Sequence, residues 1–180
     1  MPTSDTALMP DREAAVGNGA RLPLRIWLRL LTCVNMTEAM VRARLHAQFG
    51  TTLPRFDVLA ALDAAGEELS MGALSARLMV TSGNVTGLIR AMEQDGLVER
   101  RRHPGDRRST LIGMTDAGRA LFAHMAPAHA RWIEQAMAGM DRTEATELWD
   151  MLGRLKDSVR DAGSDPVAGP AKRRAWVPKS

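Results

Sequence analysis

A chain of 180 residues with 45% hydrophobic side chains is long enough to bury one real core, but too short for two ordinary domains. A single cysteine, Cys33, excludes an intramolecular disulfide and suits a reducing cytosol. The formal net charge is +3, which favours a polyanionic partner without naming one. Asp5, Asp11, Arg12 and Glu13 exclude a signal peptide, and Arg25, Arg29, Asn35 and Glu38 break the longest apolar run, Leu24 to Val41. A cytoplasmic protein that meets no membrane is the expectation.

Residues 1–21 lack periodicity and read as a flexible arm. From Leu24 to Phe49, Trp27, Leu30, Leu31, Val34, Leu45 and Phe49 recur near helical spacing and predict one long amphipathic helix that Gly50 ends. Thr51 or Thr52 then caps a helix with Pro54 in its first turn and Phe56, Val58, Leu59 and Leu62 on its apolar side. Ser70 caps a short helix to Leu78. A further helix starts at Thr81 or Ser82 and runs to about Gln94, where Gly96 supplies a left-handed stop.

Next comes Leu97 to Met114, two short strands around a tight turn whose Arg100, Arg101, Arg102, Arg107 and Arg108 meet only Glu99 and Asp106 locally. An arginine-tipped hairpin suits a nucleic-acid groove, where guanidinium groups meet phosphates and narrow-groove potential. Two last helices follow, from Thr115-Asp116 to about Gly139 and from Asp141 to about Arg160. Residues 162–180 read as a disordered tail made basic by Lys172, Arg173 and Arg174.

Ser70 to Gln94 has the layout of a helix-turn-helix. In its second helix Val85, Leu88, Ile89 and Met92 should pack inward, leaving Gly83, Asn84, Thr86, Gly87 and Arg90 for a major groove. Asn pairs bidentately with adenine, Thr touches a thymine methyl, and Arg pairs with guanine or holds phosphate. Thr81, Ser82 and the free N–H groups of the helix start can hold a phosphate oxygen. A helix-turn-helix followed directly by an arginine hairpin reads as a winged helix, mainly α with a two-stranded wing (α+β).

These residues resemble the MarR family (multiple antibiotic resistance regulators) of bacterial winged-helix repressors. The likeness runs over roughly residues 24 to 160, through Leu74-Ser75-Ala76-Arg77-Leu78, Asn84-Val85-Thr86 and Met92 to Arg100. It closes on Asp106-Arg107-Arg108 and Thr115-Asp116-Ala117-Gly118. The resemblance implies that Asp106 braces Arg108 in the minor groove, and that Ser82, Asn84, Thr86 and Arg90 hold the recognition positions, with Arg102 and Arg107 on the wing. Many relatives carry Arg directly after the Thr; Gly87 here shifts weight to Thr86 and Arg90.

The resemblance also implies six helices and a homodimer with intertwined first and last helices, hence a pseudo-palindromic double-stranded operator. The expected division is a dimerisation helix at 22–50, the DNA-binding winged helix at 51–114 and dimerisation helices at 115–161. Trp132, Ile133, Leu148, Trp149, Leu152 and Leu155 support this independently, since one small winged helix cannot bury them all.

Relatives commonly release DNA when a small aromatic anion enters a cavity between the DNA-binding lobe and the dimer helices. Trp27, Arg29, Cys33, Met36 and Met40 are the candidate lining. Core and dimer packing is the plainer reading of each. A redox switch at Cys33 is the alternative, but mid-helix among Leu30, Leu31, Val34 and Met36 the thiol should be buried and unreactive. A winged helix that acts architecturally or binds protein, without an effector, is the third reading.

His124 and His129 are five apart and diverge on a helix, and His46 and His103 have no obvious partner, so no metal site or cofactor is expected. Without a glycine-rich phosphate loop or a nucleophile elbow, the chain is not expected to be an enzyme.

Overall fold

The computed structural model describes residues 21–78, 82–103 and 105–164; within these, the side chains of residues 82–84, 103, 106–109 and 164 are not described. The segment up to residue 20, read above as an arm, residues 79–81, with the candidate helix start Thr81, and the tail from residue 165 with its basic triplet lie outside the described residues. Among the described residues, no helix is long and apolar enough to cross a membrane.

Six helices and three strands follow in the order α1 (Leu22–Phe49), α2 (Leu53–Ala65), β1 (Leu69–Ser70), α3 (Met71–Leu78), α4 (Ser82–Gln94), β2 (Val98–His103), β3 (Asp106–Met114), α5 (Asp116–Ala136) and α6 (Arg142–Ser164). The described residues up to Ala136 form one compact unit and those from Met137 a second.

The helix stops are local chemistry. Gly50 and Gly66 end α1 and α2 at φ 61° and 67°, the left-handed region that only glycine enters without a steric penalty. After α4, Leu97 N–H donates to the Met92 carbonyl at 2.9 Å and Gly96 N–H to that of Glu93 at 3.0 Å. This pair of hydrogen bonds is the Schellman turn, and Gly96 sits in it at φ 70°. Ser70 caps α3 as its position suggested, its Oγ accepting the Ala73 N–H at 3.2 Å. Thr52 stands at the N-cap of α2, but its side chain makes no capping bond, and Pro54 in the first turn presets the helix instead.

Two element boundaries differ from the sequence reading. α5 stops at Ala136 rather than Gly139, and α6 extends to Ser164, so residues 162–164 are helical rather than tail. The N-terminus of α6 is held by a reciprocal box. Asp141 Oδ1 accepts the Glu144 N–H and Glu144 Oε2 accepts the Asp141 N–H, both at 2.9 Å.

The hairpin gains a third strand that the sequence did not suggest, giving the order β1-β3-β2. β1 is two residues long, pairing Leu69 with Ile112 and Ser70 with Leu111, too short for any alternation to announce it.

Phe56, Val58, Leu59 and Leu62 of α2 all enter the core with Leu74 of α3. Val85, Ile89 and Met92 of α4 are fully buried there, and Leu88 packs at its edge. Phe56 stacks on His129 at 4.6 Å between ring centroids, and burial holds that imidazole below its usual pKa, so it packs neutral. Trp132, expected to be surplus, is buried against this same core, with the Arg44 guanidinium 5.9 Å over its ring.

The second half of α1 joins this core through Val41 and Leu45, while its first half leaves Leu24, Ile26, Trp27, Val34 and Met36 exposed. Cys33 is exposed too, contrary to the burial expected from its apolar neighbours. Of those neighbours Val34 and Met36 are exposed and Leu30 and Leu31 only partly buried by the described residues. In α6, Leu148, Leu152, Leu155 and Val159 recur at i, i+4, i+7 and i+11, and the last three are exposed along one face beside Trp149.

Candidate nucleic-acid interface

α3 and α4 present the helix-turn-helix. α4 is oriented by its buried Val85, Ile89 and Met92, and its C-terminal end is tied to α2 by an ion pair between Arg55 and Asp95. The opposite face carries Thr86, Gly87 and Arg90, all exposed. No described carboxylate pairs with Arg90. Ser82 and Asn84 fall on the first turn of α4, and their side chains lie outside those described.

Gly87 weakens α4 without any packing reason, because a Cβ built there meets nothing within 4 Å. Gly87→Ala should therefore stabilise the fold by about 1 kcal/mol, or roughly 2–4 °C in a thermal melt. A lowered melting temperature would contradict this.

The wing divides its arginines into two sets. Arg100 Nε lies 3.0 Å from Glu93, and Arg101 bridges Glu99 at 2.6 Å and Glu68 at 3.3 Å. These two are engaged within the protein and fasten the sheet to α4 and to the segment after α2. The sequence reading counted them with the free charge of the hairpin, because Glu68 and Glu93 are not hairpin residues. Arg102 is exposed and has no described carboxylate partner. Arg107 and Arg108 stand on β3 just past the turn, where His103 pairs with Asp106 after a register shift. The side chains of Asp106, Arg107 and Arg108 lie outside those described.

The strands are joined to α5 by one threonine. Thr115 Oγ1 donates to the Gly96 carbonyl at 2.6 Å and accepts the Gly118 N–H at 3.0 Å. One side chain thus caps α5 and fixes it to the turn that ends α4, which also sets the root of the wing.

Residues 49–109 match the MarR family. The transcriptional activatory protein BadR of Rhodopseudomonas palustris is 30% identical over 160 residues, covering 85% of this chain and 91% of that protein. The chain belongs to the MarR family. It is a regulator of transcription and not an enzyme, on a mainly α winged-helix fold. Two solved structures share the fold. AbsC of Streptomyces coelicolor superposes with a TM-score of 0.70 at 21% identity over 81% of this chain and 99% of its own. BpsR of Bordetella bronchiseptica, whose DNA binding is regulated by 6-hydroxynicotinic acid, superposes at 0.65 with 22% identity over 73% and 98%. MarR-family regulators bind DNA as dimers, and some bind small-molecule effectors.

For a MarR-family protein, the candidate effector residues are scattered. Arg29, Cys33, Met36 and Met40 fall at i, i+4, i+7 and i+11 along one stripe of α1, but Trp27 lies on the far side, in line with Val34 and Val41. Trp27 and Met36 are about half exposed, Arg29 and Cys33 are exposed, and only Met40 packs against the core. None of the five lines either described cavity.

Proposed function

We propose that this MarR-family regulator is a homodimeric, sequence-specific repressor that binds double-stranded DNA and leaves it when a small molecule binds. The observation that carries the reading is the exposed face of α4 beside a wing whose Arg102 is exposed and without a described carboxylate partner. In this reading Ser82, Asn84, Thr86 and Arg90 meet a major groove, and Arg102, Arg107 and Arg108, with Asp106 bracing, meet phosphates and the neighbouring minor groove. The uncovered apolar faces of α1 and α6 supply the dimer contact.

Two-fold symmetry places the recognition helices about one DNA turn apart, near 34 Å. Footprinting fragments from upstream of its own gene should therefore show two protected half-sites, one turn apart, overlapping a promoter. Protection of a single half-site would contradict the dimer. Protection wholly upstream of the promoter would favour activation, the role printed in the name of BadR. An effector that fits only a DNA-incompetent arrangement shifts the population off the operator, and BpsR is the relative that supports this part.

A further inference from the structure

Two cavities open on the winged-helix unit, one of about 350 Å³ behind the wing and a groove of about 460 Å³ shared by Asp57 and Ala60 of α2 and Arg77 of α3. Their acids, bases and small apolar groups select no one ligand. The outer face of α4 is more specific. A helix turns about 100° per residue, which puts Gly87 roughly 165° round α4 from the mean direction of the buried Val85, Ile89 and Met92. Gly87 therefore stands on the crest of the exposed face. Arg90 and Thr86 both lie to one side of it, about 60° and about 100° round the helix.

The fold makes no use of the missing side chain. Gly50, Gly66 and Gly96 take a positive φ, and Gly118 leaves room for the Leu97 carbonyl, but Gly87 does neither. A Cβ built at 87 meets nothing of this chain within 4 Å, so the space above the crest is open to a partner. Its placement gives that space a consequence. On a helix lying in a groove, the crest residue meets the floor first, and its side chain sets how deep the helix seats. Threonine is short, with its hydroxyl and methyl one bond beyond Cβ. Thr86, on the flank, reaches a base edge only when the backbone itself is close, whereas the longer Arg90 can reach from a shallower seat.

We infer that Gly87 is a positioning residue for base readout. With no side chain on the crest, the α4 backbone rests against the floor of the major groove, and that depth brings Thr86 to a base edge. The inference rests on the reading of α4 as the helix that enters the groove, and adds that the choice of sequence depends on a side chain that is absent. A methyl at 87 lifts the helix by up to one C–C bond length, roughly 1.5 Å. Contacts from so short a residue as Thr86 do not survive a lift of that size, because hydrogen bonds fail beyond about 3.2–3.5 Å.

Anisotropy titrations of the full chain test this, with the preferred duplex from upstream of its own gene and a random duplex. Gly87→Ala should weaken binding to the preferred duplex by at least about tenfold. Binding to the random duplex and the salt slope should hold, since position 87 neutralises no phosphate. The melting temperature of the same variant should rise, so loss of fold cannot explain the lost affinity. Thr86→Ala should weaken the wild type on the preferred duplex but cost nothing further in a Gly87→Leu chain. Undiminished binding of Gly87→Ala to the preferred duplex overturns the inference. An equal loss on both duplexes, or a full additional cost of Thr86→Ala in the Gly87→Leu chain, overturns it as well. If the wild type itself prefers no duplex, the reading of α4 falls and the inference with it.

Discussion

Gly118→Ala is expected to melt on the order of 10 °C below the wild type, or to fail to accumulate as folded protein. The reason is a backbone contact with no room in it. A Cβ at position 118 would lie 2.1 Å from the Leu97 carbonyl oxygen and 2.9 Å from Met114 Cγ. Met114 can turn aside, but the carbonyl cannot, because the same oxygen accepts the Thr115 N–H at 3.2 Å and Thr115 grips the adjacent Gly96. Relieving the overlap means lifting the first turn of α5 off the end of α4. Overpacking of this kind costs about 3 kcal/mol or more. The matched control is Gly153→Ala in α6, where a new Cβ meets nothing within 4 Å and the melt should hold or rise. A Gly118→Ala melt within two or so degrees of wild type would contradict the packing of α5 on the Gly96–Leu97 turn that follows α4.

Arg108→Ala should weaken DNA binding by roughly tenfold or more, across many sequences, and flatten the dependence of log affinity on log salt by about one contact. Arg101→Ala should do neither, since Arg101 is already spent on Glu68 and Glu99. Both substitutions remove one positive charge from the same hairpin, so net charge cannot explain a difference between them. Arg90→Ala or Thr86→Ala should instead change which bases are preferred. Anisotropy titrations over a salt series read all of these. Equal losses in Arg101→Ala and Arg108→Ala would show that the wing does not divide its arginines as the ion pairs indicate.

Much of the fold was legible because its signals are local. The apolar spacing of α2 and α4, the Ser70 cap and the stops at Gly50 and Gly96 each act within a few residues of themselves, and each lies where the sequence put it. What failed depended on partners distant in the chain. Counting charge along the hairpin could not reveal that Glu68 and Glu93 take two of its arginines. An apolar neighbourhood in α1 did not bury Cys33, because the described residues leave Val34 and Met36 exposed beside it and cover Leu30 and Leu31 only in part. Grouping Trp27 with Arg29 overlooked that two residues along a helix is more than half a turn. Asp57 and Arg77 share a groove only because α2 packs on α3, which no periodicity announces. The Thr-x-x-Gly run was recognised as a family signature, but its physical reason, a capping hydroxyl and a carbonyl in the place of a Cβ, needed the tertiary structure.

The central claim is that the α4 face and the wing together read DNA. Its most direct test is fluorescence anisotropy of the full chain against duplex fragments from upstream of its own gene, over a salt series, with a random duplex as control. The predicted result is one fragment bound at least about a thousandfold more tightly than the control, with log affinity falling linearly as log salt rises. Equally weak binding to every duplex would contradict the claim.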